Sequence, residues 1–178
     1  MATIYFHGQP VQTNAQLPAV GLPAPDFVLT NEKLRDITLA DFAGSKKLLL
    51  IVPSLDAPVC AASARKLNAK CKLLPNTVIL VISADLPFAQ CRFCQTERLN
   101  QLIPLSTFRS NFAFEYGVKI LDHRLAGLTA RAIVIIDEMN QVIYSQLVAE
   151  LTEEPDYESI FNAIKSPESA VLPEYKTL

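Results

Sequence analysis

The chain has 178 residues, of which 50% are hydrophobic and 19% charged, and 16 Lys plus Arg against 18 Asp plus Glu leave a net charge of -2. This composition excludes intrinsic disorder, and the charge balance provides no basic surface for nucleic acid or an anionic membrane. The longest apolar runs, at 48–52 and 78–82, are far shorter than the roughly 18 residues that a membrane span needs. We therefore expect a single domain over 1–178.

The start of the chain and its cysteine content predict a cytoplasmic protein. Residues 1–12 lack the basic segment and the apolar stretch of a signal peptide. Four cysteines are too few for a disulfide-stapled secreted scaffold. They are therefore expected to be reduced thiols that are available for chemistry.

The first half of the chain predicts short strands and helices separated by Pro and Gly. In chain order these are a hairpin within 1–16 with its break at 8–10, a short strand at 26–29, a helical turn at 38–42, a strand at 48–52, a helix at 60–74 and a strand at 78–82. The run at 48–52 is apolar throughout, which is typical of a mid-sheet strand covered on both faces. Pro53 ends this strand, and Cys60 falls in the first turn of the helix that follows.

The second half continues the alternation and closes with a hairpin and a helix. In chain order it predicts a helix at 88–100 opened by Pro87, a short strand at 105–108, a helix at 112–116, antiparallel strands at 132–136 and 142–148, an amphipathic helix at 156–164 and a loose tail at 167–178. This order predicts an α/β fold, with a mixed central sheet flanked by helices on both faces.

Cys60 is the sharpest chemical feature of the sequence. A thiol in the first turn of a helix meets unpaired backbone N–H groups and the positive end of the helix dipole, and both stabilise a thiolate. The alternative is a buried structural cysteine, since free cysteine is among the most buried residue types. Cys71, three turns further along the apolar stripe of the same helix, fits that structural role.

Cys91 and Cys94 form a CxxC motif on the next predicted helix, and three interpretations stay open. A zinc site would need a second ligand pair, and His7 and His123 are not at ligand spacing. A thioredoxin-type redox pair would place its first cysteine at a helix start, but Cys91 lies about one turn inside. In the third interpretation only one of the two thiols is functional, and it exchanges with Cys60.

Two further residues have a functional and a structural interpretation. His123 could be the base of a Cys-His hydrolase, but its neighbours at 122–125 favour an exposed structural role. Arg131 precedes the strand at 132–136, where a solvated strand-end residue is the usual interpretation. Its functional interpretation gains weight only if Cys60 lies beside it.

Six segments together carry a specific pattern: APDFVL at 24–29, ITLADFAG at 37–44, PSLDAPVCAASARKLN at 53–68, ISADLPFAQCRFC at 82–94, LSTFR at 105–109 and LTARAIVIIDE at 128–138. In these segments the chain resembles the bacterial thiol peroxidases of the atypical two-cysteine peroxiredoxin family. The resemblance continues to SQLVAELTEEPDYE at 145–158 and covers most of the chain.

The resemblance implies a thioredoxin-like fold and a peroxidase for hydrogen peroxide and alkyl hydroperoxides, recycled by thioredoxin, with no metal or cofactor. By position, Cys60 matches the peroxidatic cysteine, Cys94 the resolving cysteine, Pro53 the motif proline and Arg131 the active-site arginine. With both thiols taken to lie at helix starts, their disulfide should require those first turns to unwind. The family also implies a homodimer with 105–109 near the contact.

Two positions depart from the family pattern. Ala57 stands where the motif has Thr or Ser, whose hydroxyl is expected to hydrogen-bond the thiolate and the peroxide, so its absence bears on the rate and not on the fold. Cys91 stands where the family has a small polar residue, which makes the CxxC incidental. Two other functions stay open: a catalytically impaired or regulatory redox-binding protein that has lost the hydroxyl, and a thiol-disulfide exchanger using Cys91 and Cys94.

Overall fold

The computed structural model describes residues 1–165, so the tail expected at 167–178 lies outside the described residues. The strands are β1 (Thr3–Phe6), β2 (Gln9–Gln12), β3 (Leu29–Thr30), β4 (Asp36–Ile37), β5 (Lys46–Ile51), β6 (Thr77–Ser83), β7 (Leu102–Ser106), β8 (Ala132–Ile136) and β9 (Val142–Leu147). The helices are α1 (Pro58–Lys70), α2 (Pro87–Glu97), α3 (Phe112–Glu115) and α4 (Tyr157–Lys165), with 3₁₀ turns at Leu39–Phe42 and Cys71–Leu73.

The central sheet is mixed, as predicted. Its seven strands follow the order β4-β3-β7-β6-β5-β8-β9, with β5 paired parallel to β6 and antiparallel to β8. The side chains at 48–52 are fully buried, which confirms the mid-sheet strand inferred from the apolar run. Because β5 and β6 are parallel, the residues that follow them lie at the same edge of the sheet.

Separate clusters of buried side chains cover the two faces of the sheet, which confirms the prediction of helices on both faces. One face carries Leu48 and Leu50 of β5 and is covered by α1, α2 and α4. The other carries Leu49 and Ile51 and is covered by α3 and by the β1–β2 hairpin. Because successive side chains of β5 point to opposite faces of the sheet, the core is divided into two halves.

The N-terminal hairpin turns at His7 and Gly8, one residue before the predicted break. Both residues have positive φ, 50° and 75°, as two-residue hairpin turns require. Their N–H groups donate to the carboxylate of Glu150, at 3.2 and 3.0 Å. The bond from Gly8, then those from Thr152 and the bond from His7, lower the pKa of Glu150 to about 2. The hairpin is thus fixed to the loop after β9.

Several element boundaries differ from the sequence predictions; the helix expected at 88–100, for example, ends at Glu97. The strand expected at 26–29 is Leu29–Thr30, and the one expected at 105–108 is Leu102–Ser106. β7 contains Pro104, which has no backbone N–H to donate. The strand tolerates this proline because β3 pairs with β7 only at Ser106, so that Pro104 faces no strand partner on that side. α1 ends at Lys70.

Within residues 1–165, no helix combines the length and apolar character that crossing a bilayer requires.

Candidate active site

Cys60 is the third residue of α1, in the first turn as predicted. Pro58 opens the helix with a backbone angle suited to that position, and the preceding Ala57 offers no side chain to cap the first-turn N–H groups. The Cys60 side chain is fully buried and its sulfur is a free thiol. The uncapped helix end therefore lies beside a buried sulfur.

Arg131 lies beside Cys60, which is the arrangement that its functional interpretation requires. Its Nη1 donates to Cys60 Sγ at 3.4 Å, and its Nη2 donates to the Leu151 carbonyl at 2.8 Å. The residue is only 2% exposed, so its interpretation as a solvated strand-end arginine is wrong. Among the residues that the structure describes, none accepts a hydrogen bond from its Nε. A buried cation thus has one donor free and another directed at sulfur.

An acidic partner near Arg131 escaped the sequence analysis. The Glu154 carboxylate accepts hydrogen bonds from Lys66 Nζ at 2.8 Å and from Tyr157 Oη at 2.5 Å. These bonds, and to a smaller extent the charges of Lys66 and Arg131, lower the pKa of Glu154. Glu154 therefore helps to balance the Arg131 charge without occupying its donors.

Asp85 fixes the loop between β5 and α1, and sequence reasoning missed it. Its two carboxylate oxygens accept from Ser54 Oγ at 2.8 Å, from the Leu55 N–H at 2.7 Å and from Ser83 Oγ at 2.8 Å. Pro53 begins this loop. The available signal was an acidic residue directly after a buried strand, at the edge where the parallel strands β5 and β6 end.

The hydroxyl missing at Ala57 is not replaced by the nearest serine in the motif. Ser54 Oγ donates to Asp85 and accepts from the Asp56 N–H at 3.2 Å. Its proton is therefore engaged in holding the loop. The donor that a Thr or Ser would supply at position 57 has no substitute in Ser54.

Cys94 lies within α2 and not at its start, which corrects the sequence prediction. It is the eighth of eleven residues of α2, because the helix begins at Pro87. The thiol is 9% exposed and belongs to the same buried cluster as Cys60. Burial, followed by nearby Cys91 and Glu32, raises its pKa to about 11. In the folded helix Cys94 is therefore a protonated thiol.

The C-terminal end of α2 has an unusual backbone conformation. The helix closes at Arg98, which has a φ of 55° in the left-handed region. The Arg98 N–H donates to the carbonyls of Cys94 and Gln95, and the Leu99 N–H donates to the Cys94 carbonyl at 2.9 Å. The backbone of Cys94 thus belongs to the C-terminal cap of the helix.

Cys91 and Cys71 differ in their surroundings. Cys91 is half-buried and lines a cavity of about 240 Å³ together with Cys94 and Glu32. Burial, and then a hydrogen bond to the Glu32 carboxylate, raises the pKa of Cys91. Cys71 begins the 3₁₀ turn after α1 and packs against the core that contains Cys60, which fits its structural interpretation.

His123 is on the opposite side of the sheet from Cys60. It is exposed, and its ring lies 5.6 Å from the ring of Phe6, which packs against the core beneath the hairpin. The hydrolase arrangement considered for His123 and Cys60 is therefore wrong. Within residues 1–165, no group of three or more His, Cys, Asp or Glu side chains is arranged to hold a metal ion.

Comparison with known proteins identifies the fold and the family. The Redoxin family model matches residues 19–161. The thiol peroxidase of Corynebacterium glutamicum is 42% identical over 164 residues, which cover 92% of this chain and 99% of that protein. The peroxiredoxin-like protein from Aquifex aeolicus superposes with a TM-score of 0.87 at 36% identity, over 93% of this chain and 96% of its own. For the thiol peroxidase from Chromobacterium violaceum the TM-score is 0.85 at 26% identity, over 90% and 93%. These matches confirm the thioredoxin-like fold and the resemblance seen in the sequence: the chain belongs to the Redoxin family, in its thiol peroxidase branch.

Proposed function

We propose that this chain is a thiol-dependent peroxidase that reduces hydrogen peroxide and alkyl hydroperoxides, with Cys60 as the peroxidatic and Cys94 as the resolving cysteine. The observation that carries the proposal is the buried Arg131 guanidinium, which donates to Cys60 Sγ at 3.4 Å. A positive charge and the first-turn N–H groups of α1 together favour the thiolate, which is the reactive form of cysteine.

In the first step the Cys60 thiolate attacks the terminal oxygen of the hydroperoxide. The O–O bond breaks, the leaving oxygen takes a proton from water and departs as water or an alcohol, and the sulfur becomes a sulfenic acid. Within residues 1–165 the Nε of Arg131 has no hydrogen-bond acceptor, so it is a donor available to a peroxide oxygen. Charge-assisted donors directed at developing negative charge lower the barrier for such a step.

In the second step Cys94 Sγ attacks the sulfenic sulfur, a disulfide forms and water leaves. Burial keeps Cys94 protonated while α2 is folded, with its pKa at about 11. Because Cys94 is in the second half of the helix, the opening must involve the C-terminal turns of α2 as well as the first turn of α1. Phe93 and Leu99, which pack beside Cys94, move with it.

Two partners complete the proposal. Thioredoxin is the reductant that returns the disulfide to two thiols, and a second copy of the chain forms a homodimer. Within the segment 105–109, Leu105 and Ser106 are buried in β7, whereas Phe108 is 45% exposed and Arg109 is also exposed. The dimer contact is therefore proposed at Phe108 and Arg109, and sedimentation of a Phe108→Ser variant tests it: a dimer that persists unchanged contradicts this contact.

The missing hydroxyl at Ala57 favours one second candidate, a redox-binding protein of low catalytic activity. Stoichiometric cumene hydroperoxide discriminates between the two functions, because a peroxidase consumes two thiols per chain and a binding protein consumes none. The decisive assay follows peroxide turnover with thioredoxin, its reductase and NADPH. Absence of peroxide-dependent NADPH oxidation, together with unconsumed thiols, contradicts the peroxidase proposal.

A further inference from the structure

Cys91 and Cys94 form a thiol pair, of which the proposed two-cysteine cycle uses only Cys94. They lie on consecutive turns of α2, three residues apart, and both line the cavity that also contains Glu32. Residues three apart on a helix have their Cβ atoms about 5–6 Å apart, and a disulfide brings the two Cβ atoms to about 3.5–4.5 Å. A Cys91–Cys94 disulfide therefore needs only a small adjustment within one turn of α2 and no separation of α2 from its neighbours.

A Cys60–Cys94 disulfide makes a larger demand on the fold. Cys60 is fully buried against Arg131 at the start of α1, and Cys94 is in the second half of α2. Because Cys60 Sγ is held by Arg131 and both thiols are buried, we expect a bond between them to displace the first turn of α1 for as long as it exists. Moving the disulfide to Cys91–Cys94 lets the first turn of α1 fold again and returns Cys60 to Arg131.

We propose that Cys91 is a second resolving thiol, which takes over the disulfide from Cys60 before the external reductant acts. This step rests on the proposed function for its Cys60–Cys94 intermediate. Cys91 loses its proton to water, and its thiolate attacks Cys94 Sγ. The Cys91–Cys94 bond forms, the Cys60–Cys94 bond breaks, and the electron pair leaves with Cys60 as a thiolate. One disulfide replaces another, so no oxidant or reductant is consumed.

The surroundings of the three sulfurs favour this direction of exchange. Cys60 is the best leaving group, because Arg131 and the helix end stabilise its thiolate, and a stabilised thiolate leaves faster. Cys91 receives a hydrogen bond from Gln95 Nε2 at 3.3 Å, which offsets part of the effect of burial and of the Glu32 carboxylate, both of which raise the pKa of Cys91. Cys91 is also half-exposed, so the relayed disulfide is within reach of a dithiol partner.

Tryptic mapping separates the two disulfides directly. Trypsin cuts after Lys47, Arg65, Lys72, Arg92 and Arg98, which places the three cysteines on three peptides: Cys60 on 48–65, Cys91 on 73–92 and Cys94 on 93–98. The reduced full chain is treated with one equivalent of cumene hydroperoxide, quenched by alkylation at intervals and digested. We expect the pair 48–65 with 93–98 first, giving way to the pair 73–92 with 93–98 in at least about tenfold excess at equilibrium.

Three variants define the route. Cys91→Ser is expected to retain only the pair 48–65 with 93–98. Cys71→Ser, the matched control that removes a thiol outside the pair, is expected to reproduce both linkages in the same order. Cys60→Ser is expected to form neither linkage with peroxide. If it forms the pair 73–92 with 93–98 as fast as the parent chain, the relay through Cys60 is contradicted.

The outcomes also separate this inference from the proposed function. If peroxide is consumed and the pair 48–65 with 93–98 persists without any 73–92 partner, the relay is wrong and the two-cysteine cycle stands. If peroxide is not consumed and no linkage forms, the proposed function fails and the relay fails with it.

Discussion

Two buried cations lie at opposite ends of the ladder between β5 and β8, and their surroundings differ. Lys47 pairs with Ile136 at one end, and Arg131 immediately precedes Ala132, which pairs with Ile51 at the other. Lys47 Nζ donates to the Asp137 carbonyl at 2.9 Å and to Asn140 Oδ1 at 2.6 Å. Lys47 thus ties down the turn between β8 and β9.

The Arg131 guanidinium also has two acceptors, but one of them is the sulfur of Cys60. It donates to one carbonyl and one sulfur and keeps Nε without an acceptor among residues 1–165. Burying a charge is costly unless it is paired. A buried cation whose bonds all go to fixed acceptors holds the fold, whereas one with a free donor beside a nucleophile is available to a reacting group. We therefore expect Lys47 to hold the fold, and the proposed chemical role remains with Arg131.

The largest effect is expected on removing the sulfur that Arg131 faces. Cys60→Ser should abolish peroxide consumption, because the serine hydroxyl does not supply a thiolate. Cys94→Ser should complete one turnover and then stall with Cys60 as a sulfenic or sulfinic acid. Mass spectrometry of the intact chain after one equivalent of peroxide measures both. Sustained turnover of Cys94→Ser with thioredoxin at the parent rate contradicts the resolving role.

The next effect is expected at the arginine itself. Arg131→Met should slow the peroxide step by about 10²–10³-fold, the usual loss when one charge-stabilising donor is removed from a reacting centre. Stopped-flow oxidation of the reduced chain by cumene hydroperoxide at one pH measures the loss. An unchanged rate would mean that Arg131 acts on the sulfur only as a packing residue.

A smaller gain is expected from restoring the motif hydroxyl. A hydrogen bond to a charged group contributes about 1.5–3 kcal/mol, so Ala57→Thr should raise the second-order rate with cumene hydroperoxide by at least about tenfold. Thr is also a better helix N-cap than Ala, so the fold should tolerate the change. Stopped-flow oxidation at one pH compares the two chains, with Ala57→Val as the control of similar shape. Equal rates for Thr and Val would show that the hydroxyl is dispensable here.

The smallest effect on activity is expected at Lys47, where the comparison predicts a change in stability only. Burial lowers the pKa of Lys47 from its usual 10.5, against the opposing charges of Asp137 and Glu138. The folded chain therefore binds fewer protons than the unfolded chain between the lowered pKa and about 10.5, and stability from this group rises with pH across that window.

Lys47→Met removes that pH dependence. Its free energy of unfolding should stay within about 1.5 kcal/mol of the parent value, because a buried charge replaced by an apolar side chain of similar volume is often close to neutral. Peroxidase activity should be retained. Urea unfolding of both chains at pH 7 and near pH 10 measures the difference. A loss of activity comparable with that of Arg131→Met would abolish the distinction between the two cations.

The sequence predicts most of the scaffold because the scaffold depends on local patterns. Uninterrupted apolar runs identified β5 and β6, and spacing placed Cys60 in the first turn of its helix. The contacts that complete the site join residues far apart in the chain. Asp85 reaches back to Ser54, and no periodicity reports such a contact. Cys94 was expected at a helix start, but Pro87 opens α2 about two turns before it.

The left-handed backbone of Arg98 affects how quickly peroxide inactivates the proposed enzyme. A non-glycine residue in that conformation costs about 1–2 kcal/mol, so the turn around Cys94 is weakened before any chemistry begins. The rate of resolution is the intrinsic rate multiplied by the fraction of molecules in which this turn is open. While the turn is closed, Cys60 waits as a sulfenic acid, and a second peroxide converts it irreversibly to a sulfinic acid. The stability of the C-terminal cap of α2 therefore sets how much peroxide the proposed enzyme reduces before Cys60 is overoxidised.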